Sequence, residues 1–315
     1  MNENDTRPIM VTIQCLAYNH EPYIRQCLEG FVMQKTNFRF EVIVHDDAST
    51  DKTAEIIKEY AEKYPDIIKP FCETENQYSK RDGSIERFMN EHVHGKYVAL
   101  CEGDDFWIDA NKLQKQLDIL ESNPQISLCY TKSKIFIQNK GCFSDNILCD
   151  NGPVDFDSML FQEPAITLTS FMRTDLYKKY FEEIRPQEKK WMMGDTPLWL
   201  WMANNGRIEL LQDITAVYRM SEESASHSKN IDYLLKFNES TMDIHCFFCI
   251  KYQRDDLLPE IKKHYHKSNM RDASQHGCFM VYLRNFYQLG NLSIKDLKKL
   301  SKDIVKIILF KLGLR

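Results

Sequence analysis

Residues 40–51 read Phe40-Glu41-Val42-Ile43-Val44-His45-Asp46-Asp47-Ala48-Ser49-Thr50-Asp51. A β-rich apolar run ends in two aspartates, and small polar residues then lead into 51–64, where Ala54, Ile57 and Ala61 recur at helical spacing before Pro65. Strand, polar turn and helix make half of a βαβ unit. Upstream, Ile9–Ala17 is a short apolar run fit for a buried strand, and Glu21–Met33 carries Tyr23, Ile24, Cys27, Leu28 and Phe31 on one helical side. Downstream come a strand at Ile67–Phe71, a helix at Ser84–His92, a strand at Lys96–Cys101, a helix at Lys112–Ser122 stopping before Asn123-Pro124, and a strand at Ile126–Tyr130. This order predicts an α/β fold with a mostly parallel sheet covered by helices. Residues 131–220 are less regular, with strands expected at Leu168–Arg173 and Ile214–Arg219 and a helix at Asp195–Asn205. From about residue 229 the pattern is helical, and there is neither an internal repeat nor a low-complexity linker.

The 315 residues, 43% hydrophobic and 28% charged, suffice for one large or two small domains and exclude collagen-like, disordered and disulfide-scaffold classes. The formal net charge of -5 conceals an asymmetry. Residues 251–315 carry 14 Lys+Arg against 6 Asp+Glu, or +8, which leaves 27 against 40, or -13, for residues 1–250. The polar, acidic start Met1-Asn2-Glu3-Asn4-Asp5 has no basic n-region or apolar h-region, so no secretory signal is expected. No run of 18 apolar residues exists, so no transmembrane helix is expected. The ten scattered cysteines then read as reduced cytosolic thiols, and Cys246-Phe247-Phe248-Cys249, lacking a second ligand pair, reads as core packing.

Three polar clusters fall at predicted strand ends, where open α/β sheets bind ligands. In Asp46-Asp47-Ala48-Ser49-Thr50-Asp51, helix capping accounts for Ser49, Thr50 or Asp51 but less well for the adjacent aspartates. Nucleotide binding would use the extra carboxylate as an acceptor from a base N–H or ribose hydroxyls. Glu102-Gly103-Asp104-Asp105-Phe106-Trp107 crowds three carboxylates into four residues, either a solvated acidic turn or a divalent-cation site completed by substrate phosphates and water. Gly103 would permit a tight turn there. In the third cluster, Tyr18-Asn19-His20, the tyrosine is either a partly buried surface residue or a platform for a flat base. Downstream, Trp191-Met192-Met193-Gly194-Asp195-Thr196-Pro197-Leu198-Trp199 sets one carboxylate among apolar neighbours. Asp195 is either a cap for the next helix or a general base. GxGxxG after the first strand, GxxxxGK[ST], GxSxG and HExxH are all absent, which removes the dinucleotide, P-loop, α/β-hydrolase and zincin signatures.

Val11-Thr12-Ile13 with Tyr18-Asn19, Glu41–Asp51, and Gly103-Asp104-Asp105-Phe106-Trp107 together resemble the family-2 glycosyltransferases of GT-A fold, abundant in bacterial polysaccharide synthesis. The likeness is strong over 9–130 and looser over 165–228. It implies a Rossmann-like, mixed but mostly parallel sheet flanked by helices. A catalytic domain would occupy 1–228, with a nucleotide-sugar half at about 9–130 and an acceptor half at about 131–228. A helical basic extension would follow at 229–315. The resemblance further implies a nucleotide-diphosphate sugar donor, with UDP favoured, and Mg²⁺ or Mn²⁺. It places Tyr18 and Asp47 at the base with Asp46 beside them, Asp104 near the ribose or metal, and Asp105 as metal ligand. Asp195 would be the catalytic base and Arg219 would approach the diphosphate. Many relatives have a His two residues after the matching Tyr-Arg pair; here Ser221 stands there, and His227 is the weaker candidate to replace it. The reaction implied is inverting, metal-assisted hexosyl or N-acetylhexosaminyl transfer to a hydroxyl of a glycan or lipid-linked acceptor in the cytoplasm. A non-catalytic nucleotide-sugar binder and a metal-dependent nucleotidyltransferase or phosphatase are the competing classes. The nucleotidyltransferase lacks its expected basic glycine-rich loop.

In 294–312, apolar residues at spacings of three and four alternate with Lys295, Lys298, Lys299, Lys302 and Lys306. This is an amphipathic basic helix, either packed on its own domain with lysines in water or lying on an anionic membrane at the inner face of the plasma membrane. The acidic body and the lack of a recognised motif argue against nucleic acid. His264-Tyr265-His266 reads as a surface feature.

Overall fold

The computed structural model describes residues 6–150, 152, 154–162, 167–221, 230–290 and 294–311. The chain forms two compact units. The first comprises 1–189 and 198–221, and the second 190–197 and 222–315.

The first unit alternates β1 (Ile9–Ala17), α1 (Ile24–Val32), β2 (Arg39–Asp46), α2 (Thr53–Lys63), β3 (Ile68–Cys72), α3 (Ser84–Glu91), β4 (Tyr97–Leu100), β5 (Phe106–Trp107) and α4 (Lys112–Ser122). It continues through β6 (Ile126–Ile137), β7 (Cys142–Leu148), α5 (Phe156–Met159), β8 (Phe171–Arg173), α6 (Thr174–Ile184), α7 (Asp195–Asn205) and β9 (Arg207–Met220); the first three residues of α7 belong to the second unit. Strands run β3-β2-β1-β4-β8-β6-β9-β5, with β7 paired to β6. Pairing is parallel for β3/β2, β2/β1, β1/β4 and β6/β9, and antiparallel wherever β5, β7 or β8 takes part. The mixed, largely parallel sheet of the sequence reading is therefore present.

Central strands read as continuous apolar runs because both of their faces are covered. On β2, Val42 and Val44 join the main core with Val11, Ile13, Phe31 and Ile57, while Ile43 points the other way onto Ile85 and Met89 of α3. The chain leaves β1 towards β2 and β3 on one side and towards β4 on the other, so the switch point lies at the carboxyl ends of β1, β2 and β4. The register sets Ala17 beside Asp46 and Gln14 beside Leu100. Residues 18–20, 46–51 and 101–105 consequently leave the sheet along one edge.

Several boundaries differ from the sequence reading. Helix α1 starts at Ile24, not Glu21, because Asn19 is left-handed (φ 55) and the Glu21 amide is held by the Asp51 carboxylate (3.0 Å). Strand β6 runs on to Ile137 and β9 begins already at Arg207. In place of one strand over 168–173 there is a 3-10 turn, Thr167–Thr169, followed by a three-residue β8.

The second unit contains α8 (Ile231–Lys251), α9 (Leu258–Gln275), α10 (Phe279–Tyr287) and α11 (Ile294–Lys311). Asn230 caps α8 by accepting the amides of Asp232 and Tyr233. Segment 190–197 joins this unit through Trp191, whose ring meets Phe247 (5.3 Å between centroids), and through the Met192 amide, which donates to Ser240 Oγ (2.8 Å). All ten cysteines are free thiols; Cys249 is buried and Cys246 half-buried. His264 is exposed, but His266 is half-buried, with Nδ1 2.9 Å from Asn285 Oδ1. Among the described residues no helix is long and apolar enough to cross a membrane.

Candidate functional site

At the β2 edge the two aspartates have different tasks. Asp46 Oδ2 accepts the Ser49 amide (3.2 Å) and Oδ1 accepts the Ser49 hydroxyl. Ser49 Oγ in turn accepts the Asn19 amide (2.8 Å), and Asn19 Oδ1 accepts the Thr50 amide (2.8 Å). The loops after β1 and β2 are thus sewn together. Asp47 reaches the other way. Its Oδ1 accepts the Gln77 amide (2.6 Å), its Oδ2 the Tyr78 amide (3.0 Å), and its carbonyl the Asn76 side chain (3.1 Å). Between them and Ser49, Ala48 is left-handed (φ 60), a costly conformation for a residue with a Cβ. Asp51, just before the Lys52 N-cap of α2, accepts the Thr53 amide (2.9 Å), so all three aspartates of this turn hold backbone amides. Tyr18, next to Ala17 whose carbonyl accepts the Asp47 amide (2.9 Å), is 47% exposed and open to a ligand.

At the β4 edge the Cys101 and Gly103 amides donate to the carbonyls of Gln14 (3.1 Å) and Leu16 (2.9 Å), which lays the acidic turn against β1. Gly103 is required by this approach, not by a left-handed turn. A Cβ on it would stand 2.9 Å from His20 Nδ1, 3.0 Å from Ile24 Cδ1 and 3.1 Å from Ala17 Cβ. Gly103→Ala is expected to cost about 1–3 kcal/mol by overpacking and to move the next two aspartates. Thermal melts check the loss of stability.

Asp105 is only 4% exposed and its Oδ1 accepts the Arg219 amide (2.7 Å). Burial first, then the nearby Asp104 and Glu102 charges, push its carboxyl well above the usual carboxylate range, while Arg219 acts in the opposite sense. Arg219 is buried and spans the site. Its Nε donates to the Asp104 carbonyl (2.7 Å), Nη1 to Gln138 Oε1 (2.6 Å) and Nη2 to Gln26 Oε1 (2.7 Å), and the guanidinium lies 4.7 Å from the Tyr23 ring centroid and 5.2 Å from that of Phe106. Its backbone and side chain therefore grip both members of the Asp104-Asp105 pair.

His20 sits among these groups. Its Nδ1 is buried and makes no protein hydrogen bond. Burial lowers the imidazole pKa against the upward pull of Asp104, Asp51 and Asp46. His20, Gln26, Gln138 and the Asn76–Tyr78 segment were not singled out as site residues from sequence. Gln26 is exposed on α1, away from the buried face of Ile24, Cys27, Leu28 and Phe31, so its local pattern carries no signal of this role.

The first unit thus gathers Tyr18, Asp46, Asp47, Asp104, Asp105 and Arg219 around one sheet edge. Asp195 opens α7 on the segment assigned to the second unit, with its Oδ1 accepting the Thr196 amide (2.7 Å) and its charge favourably placed in the first helical turn. His227 lies outside the described residues. Among the described residues no three His, Cys, Asp or Glu side chains form a ready metal cluster. A buried Asp105 carboxyl crowded by two other carboxylates nevertheless fits a divalent cation of the Mg²⁺ or Mn²⁺ kind, which takes one or two protein carboxylates and fills its remaining positions with phosphate and water.

The family model described as "Glycosyl transferase family 2" matches residues 13–181. An uncharacterized protein of Mycobacterium tuberculosis (strain ATCC 25618 / H37Rv) is 32% identical over 228 residues, 70% of this chain and 62% of the relative's own length. Among solved structures, Staphylococcus aureus TarS 1–349 in complex with UDP-GlcNAc matches with a TM-score of 0.54 at 15% identity, over 89% of this chain and 90% of that one. The mannosyltransferase PcManGT of Pyrobaculum calidifontis, in complex with GDP-Man and Mn²⁺, matches with a TM-score of 0.58 at 15% identity, over 95% and 81%. At these identities the structural likeness speaks for the GT-A fold.

Proposed function

The chain belongs to glycosyl transferase family 2, and from that premise we propose that it moves a hexosyl or N-acetylhexosaminyl group from a UDP-sugar to a hydroxyl of a glycan or lipid-linked acceptor, with inversion and with help from Mg²⁺ or Mn²⁺. The observation that carries the reading is the convergence of Tyr18, Asp46-Asp47 and Asp104-Asp105 at the switch point of the sheet. The nucleotide sugars bound by TarS and PcManGT support the donor class. We assign the catalytic domain to 1–228 and a helical extension to 229–315.

In this reading Tyr18 stacks on the base. Asp47 fixes the Gln77–Tyr78 backbone as one wall of the base site and offers its remaining lone pairs to the base. Asp46 holds the loop that carries Asp47. Asp104 faces the ribose, and Asp105 holds the cation, which when bound supplies Lewis-acid stabilisation of the diphosphate leaving group. Arg219 positions the Asp104-Asp105 segment and adds positive charge beside the diphosphate. Asp195 accepts the acceptor hydroxyl proton while that oxygen attacks the anomeric carbon opposite the diphosphate. The new C–O bond forms as the bond to the diphosphate breaks, and the electron pair leaves with the diphosphate. One displacement inverts the centre without a protein nucleophile. His227 is retained as the weaker candidate for a further metal or phosphate contact.

The test is a thermal-shift screen of nucleotide sugars with and without Mn²⁺, followed by transfer assays with the donor it identifies. Asp195→Asn is expected to lower kcat by about 10²–10⁴ while leaving the donor-induced shift intact. Wild-type turnover by this variant would remove Asp195 as the base.

A further inference from the structure

Helices α10 and α11 satisfy the second unit's core with one face each. On α10 the buried residues are Tyr282, Asn285 and Phe286. On α11, Ile307 enters the cluster of Met270, Ala273, Tyr282 and Phe286, Asp303 accepts the Tyr282 hydroxyl (3.0 Å), and Phe310 covers Gly277. A basic amphipathic helix can pack on its own domain, lie on a membrane, or do both. The structure shows that packing uses only part of the apolar surface.

What remains outside is apolar and basic together. Met280, Arg284 and Tyr287 recur at i, i+4 and i+7 on the outer side of α10; Met280 is 76% and Tyr287 75% exposed. On α11, Val305 and Ile308 are 55% and 51% exposed at i, i+3, beside exposed Lys302 and Lys306. Neither stretch shows a carboxylate to solvent. Helix α10 contains no acidic residue, and in 302–310 the single acid, Asp303, is buried and paired with Lys306 (3.5 Å).

We propose that these outer faces of α10 and α11 form a docking surface for an anionic lipid bilayer. Aliphatic and aromatic side chains flanked by lysine and arginine, without exposed carboxylates, suit the boundary between acyl chains and negative headgroups. Contact is interfacial, since neither helix is long and apolar enough to span. The +8 of residues 251–315 suits attraction to an extended negative plane. The inference does not depend on the transfer reaction.

The experiment is co-sedimentation of the full chain with vesicles of phosphatidylcholine, with and without phosphatidylglycerol. Binding is expected only to the phosphatidylglycerol vesicles and is expected to fall with salt. Lys302→Gln and Lys306→Gln should each weaken it about fivefold, and Val305→Ser with Ile308→Ser about tenfold, with thermal melts showing that each variant folds. Donor-induced thermal shifts of the same proteins report on the nucleotide site separately. Equal binding to both vesicle types, or binding to neither, overturns the proposal. So does sedimentation velocity showing a dimer that the same substitutions dissociate while vesicle binding is absent, since that face would then join two copies of the chain.

Discussion

Asp105→Asn is expected to abolish sugar transfer, by at least about a thousandfold, and at the same time to make the metal-free protein more heat-stable than wild type. The two effects share one cause. The Asp105 carboxyl is taken out of water and set near the Asp104 and Glu102 charges, so its ionised form is held at a cost until a cation neutralises it. Asparagine keeps an oxygen to accept the Arg219 amide, now 2.7 Å from Asp105 Oδ1, and removes the charge. In chelator the variant should therefore melt above wild type. With Mn²⁺ and UDP the order should reverse, because only wild type gains from binding, by about 2.7 kcal/mol at a hundredfold excess over Kd. A variant that still gains the Mn²⁺-dependent shift, or still transfers sugar, would move the metal to another group. Asp105→Ala loses the acceptor as well and leaves the Arg219 amide unpaired, so it separates loss of charge from loss of the strand contact.

That same geometry marks how far sequence reaches. The alternation of strands and helices over 9–130 was legible because β1 and β2 are covered on both faces and so appear as unbroken apolar runs. The site's location was legible because three polar clusters fall at ends of parallel strands. The partners of those clusters were not. Asp47 is held by backbone amides of Gln77 and Tyr78, and any residue type offers an amide. Arg219 is held by Gln26, 193 positions away, and by Gln138, and no local pattern links them. The far half of the sheet was obscure for another reason. Beyond Tyr130, β6 reads Thr131-Lys132-Ser133-Lys134 and then Ile135-Phe136-Ile137, neither an unbroken apolar run nor a clean alternation, because only part of it is covered, and its antiparallel partner β7 is largely exposed.

Lys112→Met is expected to stabilise the protein by about 1 kcal/mol at pH 7, with a gain that reverses in strong alkali. Lys112 opens α4 and is fully buried. Its ammonium donates to Gln116 Oε1 and lies 4.3 Å from the Trp107 ring centroid, while Gln116 is itself tied to the Thr169 carbonyl (2.8 Å). Burial pulls the Lys112 pKa from 10.5 down to about 7, against the opposing pull of Cys101, Cys129 and Asp109. The folded value thus lies below the unfolded one. Between about 7 and 10.5 the unfolded chain holds a proton that the folded chain releases, so stability rises with pH across that window. Below it both states are charged and the full penalty applies. At about 1.4 kcal/mol per pH unit the gap gives a penalty on the order of 4–5 kcal/mol, and losing the contact with Trp107 returns about 1–2 kcal/mol of it. Methionine has a similar length and needs no partner, but it leaves the buried Gln116 Oε1 without its donor, which costs about 1–3 kcal/mol. Urea unfolding of both proteins at pH 6, 8 and 10 reads the difference directly, since other titrations cancel between them. The gain should shrink as pH rises, because at high pH wild type also buries a neutral side chain. Parallel stability curves, or a less stable variant at pH 6, would show that the Lys112 charge is accommodated in the folded protein.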